Sequence, residues 1–136
     1  MYSYTYVTKK TDWEICIIIN AEIKQFRDQT QCKKICDGIW FSVTDTPRTK
    51  GQTIIDEDTK NLIEGIKIIR EKIVESSEYK DKTWIEIDSL QFSDCYFQED
   101  ALPIAMMYWA AQAFGFEMPS VDVTFDKTEN KYLFKF

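Results

Sequence analysis

The chain has 136 residues, 44% hydrophobic and 15% aromatic, with a formal net charge of −6 and no histidine. That length fits one domain with its own core, and the composition is globular, not disordered. The lack of histidine excludes Ser-His-Asp and Cys-His catalysis, histidine acid–base chemistry and most catalytic zinc sites.

The charge is unevenly placed. Residues 1–82 hold 14 acids and 14 bases and are neutral as a block. Between Lys82 and Lys127 stand eight acids (Glu86, Asp88, Asp94, Glu99, Asp100, Glu117, Asp122, Asp126) and no lysine or arginine. This asymmetry argues against nucleic-acid or anionic-membrane binding and suits a basic partner. The start Met1-Tyr2-Ser3-Tyr4 lacks the basic and apolar runs of a signal peptide, and no apolar stretch is long enough to span a bilayer. A cytoplasmic location with reduced cysteines is therefore expected.

In chain order, Tyr2, Tyr4 and Tyr6 alternate with Ser3, Thr5 and Val7, and Trp13, Ile15, Ile17 and Ile19 alternate with Glu14, Cys16 and Ile18. Both runs have the period of a strand, and they predict an N-terminal hairpin. Ala21 to Cys36 has no clear period; Ile23 with Phe26, and Cys32 with Ile35 and Cys36, suggest weakly helical or irregular structure. Cys32 and Cys36 form one close pair where structural zinc usually shows two, so free thiols and no metal are expected.

Gly38 to Thr44 predicts a strand, and residues 45–51, with Pro47 and Gly51, an exposed polar loop. A helix over about 57–76 follows, opened by Asp56-Glu57-Asp58. Its apolar stripe is Leu62, Ile66, Ile69 and Ile73, with Lys60, Glu64, Lys67 and Glu71 opposite. Trp84 to Asp88 predicts a strand, with Leu90-Gln91-Phe92 as a possible continuation. It would complete a β-α-β crossover with the 38–44 strand.

The second main helix, about 99–114, is apolar on every face apart from Gln112, which predicts burial on several sides. Glu99 and Asp100 place negative charge at its start. Pro103 falls where no intrahelical N–H bond is required, and Gly115 suits a left-handed stop. Val121, Val123 and Phe125, then Tyr132, Phe134 and Phe136, predict a C-terminal hairpin. Asp122 and Asp126 would share its other face with Lys131 and Lys135. The expected fold is a single α+β domain, its mixed or antiparallel sheet and terminal hairpins packed on two main helices.

Four glycines, Gly38, Gly51, Gly65 and Gly115, are too few and too scattered for a phosphate loop. Glu86 and Asp88 share a strand face and could pair for acid–base work, but a solvated edge is the simpler expectation. A small acidic enzyme or ligand-binding domain using paired carboxylates is thus the alternative reading, and a self-assembling structural subunit a further one. Asp94, Tyr96, Glu99 and Asp100 combine acids, an aromatic and a helix start, and form the first candidate contact surface.

The short acidic chain, the GIWFSVTD strand with its loop, and the segment DCYFQEDALPIAMMYWAAQAFGF together resemble immunity proteins of bacterial contact-dependent growth inhibition and related polymorphic toxin systems. The resemblance covers the whole chain as a profile and carries over no residue role. It implies a non-enzymatic stoichiometric inhibitor without cofactor. The partner would be a cognate toxin domain, a basic nuclease, with an RNase favoured over a DNase. Acidic side chains would cover its basic cleft. Asp94, Glu99 and Asp100 would supply the charge, with Asp45, Asp56, Glu57 and Asp58 as a second patch. Tyr96, Phe97 or Trp40 would anchor if exposed.

Overall fold

The computed structural model describes residues 2–10, 14–28, 32–44, 47–49, 52–53, 56–92 and 98–135. Alternating apolar residues build the strands of a five-stranded sheet: β1 (Tyr2–Lys9), β2 (Glu14–Gln25), β3 (Lys33–Cys36), β4 (Ile39–Val43) and β7 (Thr83–Phe92). Their order is β1-β2-β7-β4-β3. The β4–β7 pair is parallel and the other neighbours are antiparallel, so the sheet is mixed and the α+β reading holds. Two short strands, β5 (Pro47–Thr49) and β6 (Gln52–Thr53), pair with each other between β4 and the first helix. β8 (Asp122–Asp126) and β9 (Lys131–Lys135) form the expected C-terminal hairpin, with Asp122 opposite Lys135 and Asp126 opposite Lys131, but no ion pair joins them among the described residues.

The segment expected to be weakly helical is instead extended. Ala21 and Ile23 continue the inward row of β2 while Glu22 and Lys24 continue the outward row, and β3 follows as a short edge strand. Cys36 packs on the core, and Cys32 and Cys36 are free thiols. The β7 strand runs through to Phe92 by means of a bulge. Asn20 pairs with Ser89 and Ala21 with Ile87, which leaves Asp88 as the extra residue. Ile85 and Ile87 face the core before the bulge; Leu90 and Phe92 face it after.

The long helix expected over 57–76 is two helices, α1 (Asp56–Ile68) and α2 (Arg70–Ser76). Ile69 interrupts them with φ −111° and ψ 20°, and its N–H bonds Ile66 three residues back. The Arg70 guanidinium donates to the Lys67 carbonyl at 2.8 Å, covering a group that the break uncouples.

The other main helix, α3 (Ala101–Phe114), begins two residues later than expected, with Asp100 at its N-cap. Nine of its residues are buried, as an all-apolar helix requires. One side meets β1 and β2, where Tyr108 stacks on Tyr4 and Tyr6, and the other meets α1. Gly115, at φ 80°, ends it, and the N–H groups of Gly115 and Phe116 both bond the Ala111 carbonyl.

Gly65 on α1 permits the approach to α3. A Cβ built there would lie 2.4 Å from the Pro103 carbonyl oxygen and 2.9 Å from its Cα. Alanine normally stabilises a helix interior over glycine by about 1 kcal/mol. Here the sign should reverse: Gly65→Ala is expected to cost about 3 kcal/mol through overpacking against rigid backbone. Urea unfolding of the two proteins checks this, and an unchanged or higher midpoint would contradict the contact.

Candidate functional site

All three helices pack on one face of the sheet. On the other face the strand register sets side chains in two rows across the strands. Glu22, Glu86 and Ser42 stand side by side in the first row; Lys24, Trp84, Trp40 and Lys34 form the second. Glu22 and Glu86 are directly opposite, an arrangement that repels unless a cation bridges it. Lys24 is that cation: its Nζ lies 2.8 Å from Glu86 Oε1 and 3.5 Å from Glu22 Oε2. Glu86, hydrogen-bonded to it, holds the Lys24 ammonium above the ordinary lysine range.

Glu86 is also held from its other side. Trp84 Nε1 donates to Ser42 Oγ at 2.8 Å, and Ser42 Oγ donates to Glu86 Oε2 at 3.1 Å. Lys24 lies over the Trp84 ring, 4.9 Å from its centroid. Beside it Phe26 stacks on Trp40 at 3.8 Å between centroids, with the Lys34 and Lys82 ammonium groups over the Trp40 ring. Cys32 also senses this cluster. Burial first, then the Glu86 charge, raises its thiol above the ordinary range, which disfavours thiolate chemistry there.

Asp88 is the residue this face does not settle. The bulge turns its Oδ2 into a buried position with no hydrogen-bond partner among the described residues. Burial first, and then the Glu22 and Glu86 charges, raise its carboxyl above the usual carboxylate range. Glu86 and Asp88 therefore belong to the centre of the sheet and not to a solvated edge. Among the described residues no group of three or more Cys, Asp or Glu side chains is arranged to hold a metal ion.

The contact residues expected from the sequence divide differently. Glu99 and Asp100 are exposed just ahead of α3, and Asp56 and Glu57 are exposed at the start of α1. None of the four forms an ion pair with a described residue. Asp58 corrects the second patch. Its side chain is turned inward and fully buried, so it offers nothing to a docking partner. Trp40 is half-buried under its lysines. Asp45, Asp94, Tyr96, Phe97 and the remaining cysteine, Cys95, lie outside the described residues.

Glu99 and Asp100 are held beside the terminal hairpin by a clamp that the sequence did not announce. Buried Gln98 donates Nε2 to the Tyr132 carbonyl at 2.6 Å and accepts from the Tyr132 N–H at 2.8 Å. The side-chain amide thereby imitates a strand partner. The Tyr132 hydroxyl in turn accepts from the Lys10 N–H, which ties the hairpin to the end of β1.

These features define a small α+β domain with exposed acids at the starts of two helices, Asp56 in a groove it shares with Lys33, Lys34, Lys60 and Lys67, and with one sheet face of interlocked acids and aromatics. The chain matches no family model, no curated protein and no solved structure.

The state of Asp88 gives a signed expectation. Its folded carboxyl holds a proton more tightly than an unfolded aspartate does. Stability therefore falls as pH rises from the ordinary aspartate range through the raised folded value. Asp88→Asn should raise the melting midpoint at neutral pH by about 2 °C. The gain should disappear in acid below that window. Thermal melts of both proteins across pH check it, and a difference constant with pH would contradict the raised carboxyl.

Proposed function

We propose that this chain is a stoichiometric immunity protein that binds and neutralises a cognate toxin domain. The observation that carries the reading is the set of exposed, unpaired acids at Glu99, Asp100, Asp56 and Glu57. The first two fall within a stretch, residues 83–126, that has no basic residue. A nuclease that grips phosphates has a basic cleft, and these carboxylates suit it in charge. Such complementarity speeds association as well as strengthening the complex, and it blocks substrate entry without chemistry. An RNase is favoured over a DNase as the toxin, and a cytoplasmic meeting place suits such a partner.

The paired-carboxylate alternative draws on a different observation. Asp88, raised and crowded by Glu22 and Glu86, has the perturbed acid that a proton-transfer or ligand site uses. Against it, both Glu86 oxygens are already engaged, by Lys24 and Ser42. The inhibitor reading therefore stands first.

The test is co-expression with the product of the adjacent upstream gene, scored by growth rescue and by co-purification. A one-to-one complex with rescue is expected. Within it, Glu99→Lys with Asp100→Lys should weaken binding by about tenfold or more, mostly through a slower, less salt-sensitive association. The melting midpoint should stay nearly constant. Unchanged affinity would remove this surface from the interface; no toxicity and no complex would remove the immunity reading.

A further inference from the structure

The two outer strands of the five-stranded sheet are built in opposite ways. β3 has four residues, begins with Lys33 and Lys34, and slips register between Lys34 and Cys36. Shortness, charge and irregularity each keep a sheet edge from recruiting another strand. β1 has none of these between Tyr2 and Thr8. It runs for eight residues in unbroken register with β2, with no proline and no charge before Lys9. Among the described residues no strand pairs with its outer side. No strand therefore takes the alternate N–H and C=O groups along that side, although at its first residue the Tyr2 carbonyl accepts from Trp109 Nε1 at 3.0 Å.

A groove of about 510 Å³ follows this edge. One wall is the strand itself from Tyr4 to Lys10; the other is Tyr108 with Val121 and Val123, at the start of β8. Val7 is 51% exposed along it. Lys9 and Lys10 line one end; Lys9 is opposite Glu14 in the ladder, and neither lysine forms an ion pair with a described residue. No acidic side chain lines the groove.

We propose that this groove is a strand-addition site for an extended segment of a partner protein that carries a carboxylate toward Lys9 and Lys10. Backbone pairing with β1 supplies affinity, and alternate side chains supply selectivity. One row of the incoming strand packs over Tyr4, Tyr6 and the two valines; the next row lies beside Thr5 and Val7 on the helix-free face. The fitting segment thus alternates apolar and polar residues and ends in an acid. A second copy of the chain fits less well. Residues 2–10 contain no acid, so an antiparallel copy of β1 brings no carboxylate to the two lysines. The site calls for a ligand of opposite charge to the partner of Glu99 and Asp100, and it does not rest on the immunity reading.

The test is selection of displayed random peptides of about ten residues, enough to run the length of β1 at ~3.4 Å per residue, against the whole protein. Enriched peptides should alternate apolar and polar residues with Asp or Glu at one end. In amide exchange they should protect alternate residues of β1. Binding should fall by about tenfold or more against the Lys9→Glu, Lys10→Glu protein. It should be lost when the peptide amides facing β1 are N-methylated, a control that leaves the protein unaltered. No enrichment, protection confined to another surface, or indifference to both changes would overturn the proposal. So would a mass that grows with concentration and β1 amides protected without any peptide, which would assign the edge to a second copy.

Discussion

The contact between Gly65 on α1 and Pro103 on α3 sets the geometry on which the rest of the domain depends. An apolar helix such as α3 must be covered on more than one side, and the sheet covers only one. The second cover is α1, and two helices approach this closely only where a side chain is missing. Gly65 removes it, and Pro103 stands opposite in the first turn of α3, where its lack of an N–H costs no helical hydrogen bond. The pairing places the ends of both helices. The exposed acids at Asp56 and Glu57 and at Glu99 and Asp100 are held where they are by packing and by backbone bonds, not by bonds of their carboxylates to described residues.

A second constraint, the bulge at Asp88, shapes the opposite face. Without the extra residue, β7 could not keep both Ile87 and Leu90 in the core, because three positions apart on a regular strand are opposite sides. The bulge reconciles them and leaves Asp88 at the point where the pattern changes phase. Its carboxyl then sits close to Glu22 and Glu86, whose own opposition Lys24 already moderates. The strain is electrostatic and local. It falls on an acid that feels Lys24 but makes none of the hydrogen bonds by which Lys24 and Ser42 hold Glu86.

Much of the fold was legible because strong periodicities leave few choices. Ile15, Ile17 and Ile19 could only be a half-buried strand, and residues 101–114 could only be a buried helix. The failures have physical causes. Ile23 and Phe26 stand three apart, which suggests a helix; yet Ile23 belongs to the inward row of β2, and Phe26 lies past the strand end, stacked on Trp40. Helical spacing ran unbroken through Ile69, and nothing local marks a residue that takes a bridging conformation between two helices. Asp56-Glu57-Asp58 looked like uniform surface charge, but helical rotation turns the third of these inward. Of the candidate site, exposed acids could be named one by one. The rows Glu22-Glu86-Ser42 and Lys24-Trp84-Trp40 could not, because they join strands separated by some forty to sixty positions.

These two surfaces differ in what they can still do. On the helix-free face, Asp88 apart, the charges are spent on one another: Lys24 joins the two glutamates, Ser42 links Glu86 to Trp84, and the lysines lie over the aromatic rings. A partner docking there would have to displace bonds that already hold the sheet together, so the charge adds little to affinity. At Glu99 and Asp100 the carboxylates face solvent with no described cation beside them, and the Gln98 clamp holds the turn that carries them against the hairpin. A cation brought to that turn disrupts no existing pair among the described residues. The more elaborate cluster is thus the better structural element, and the barer one is the better place to meet a basic partner.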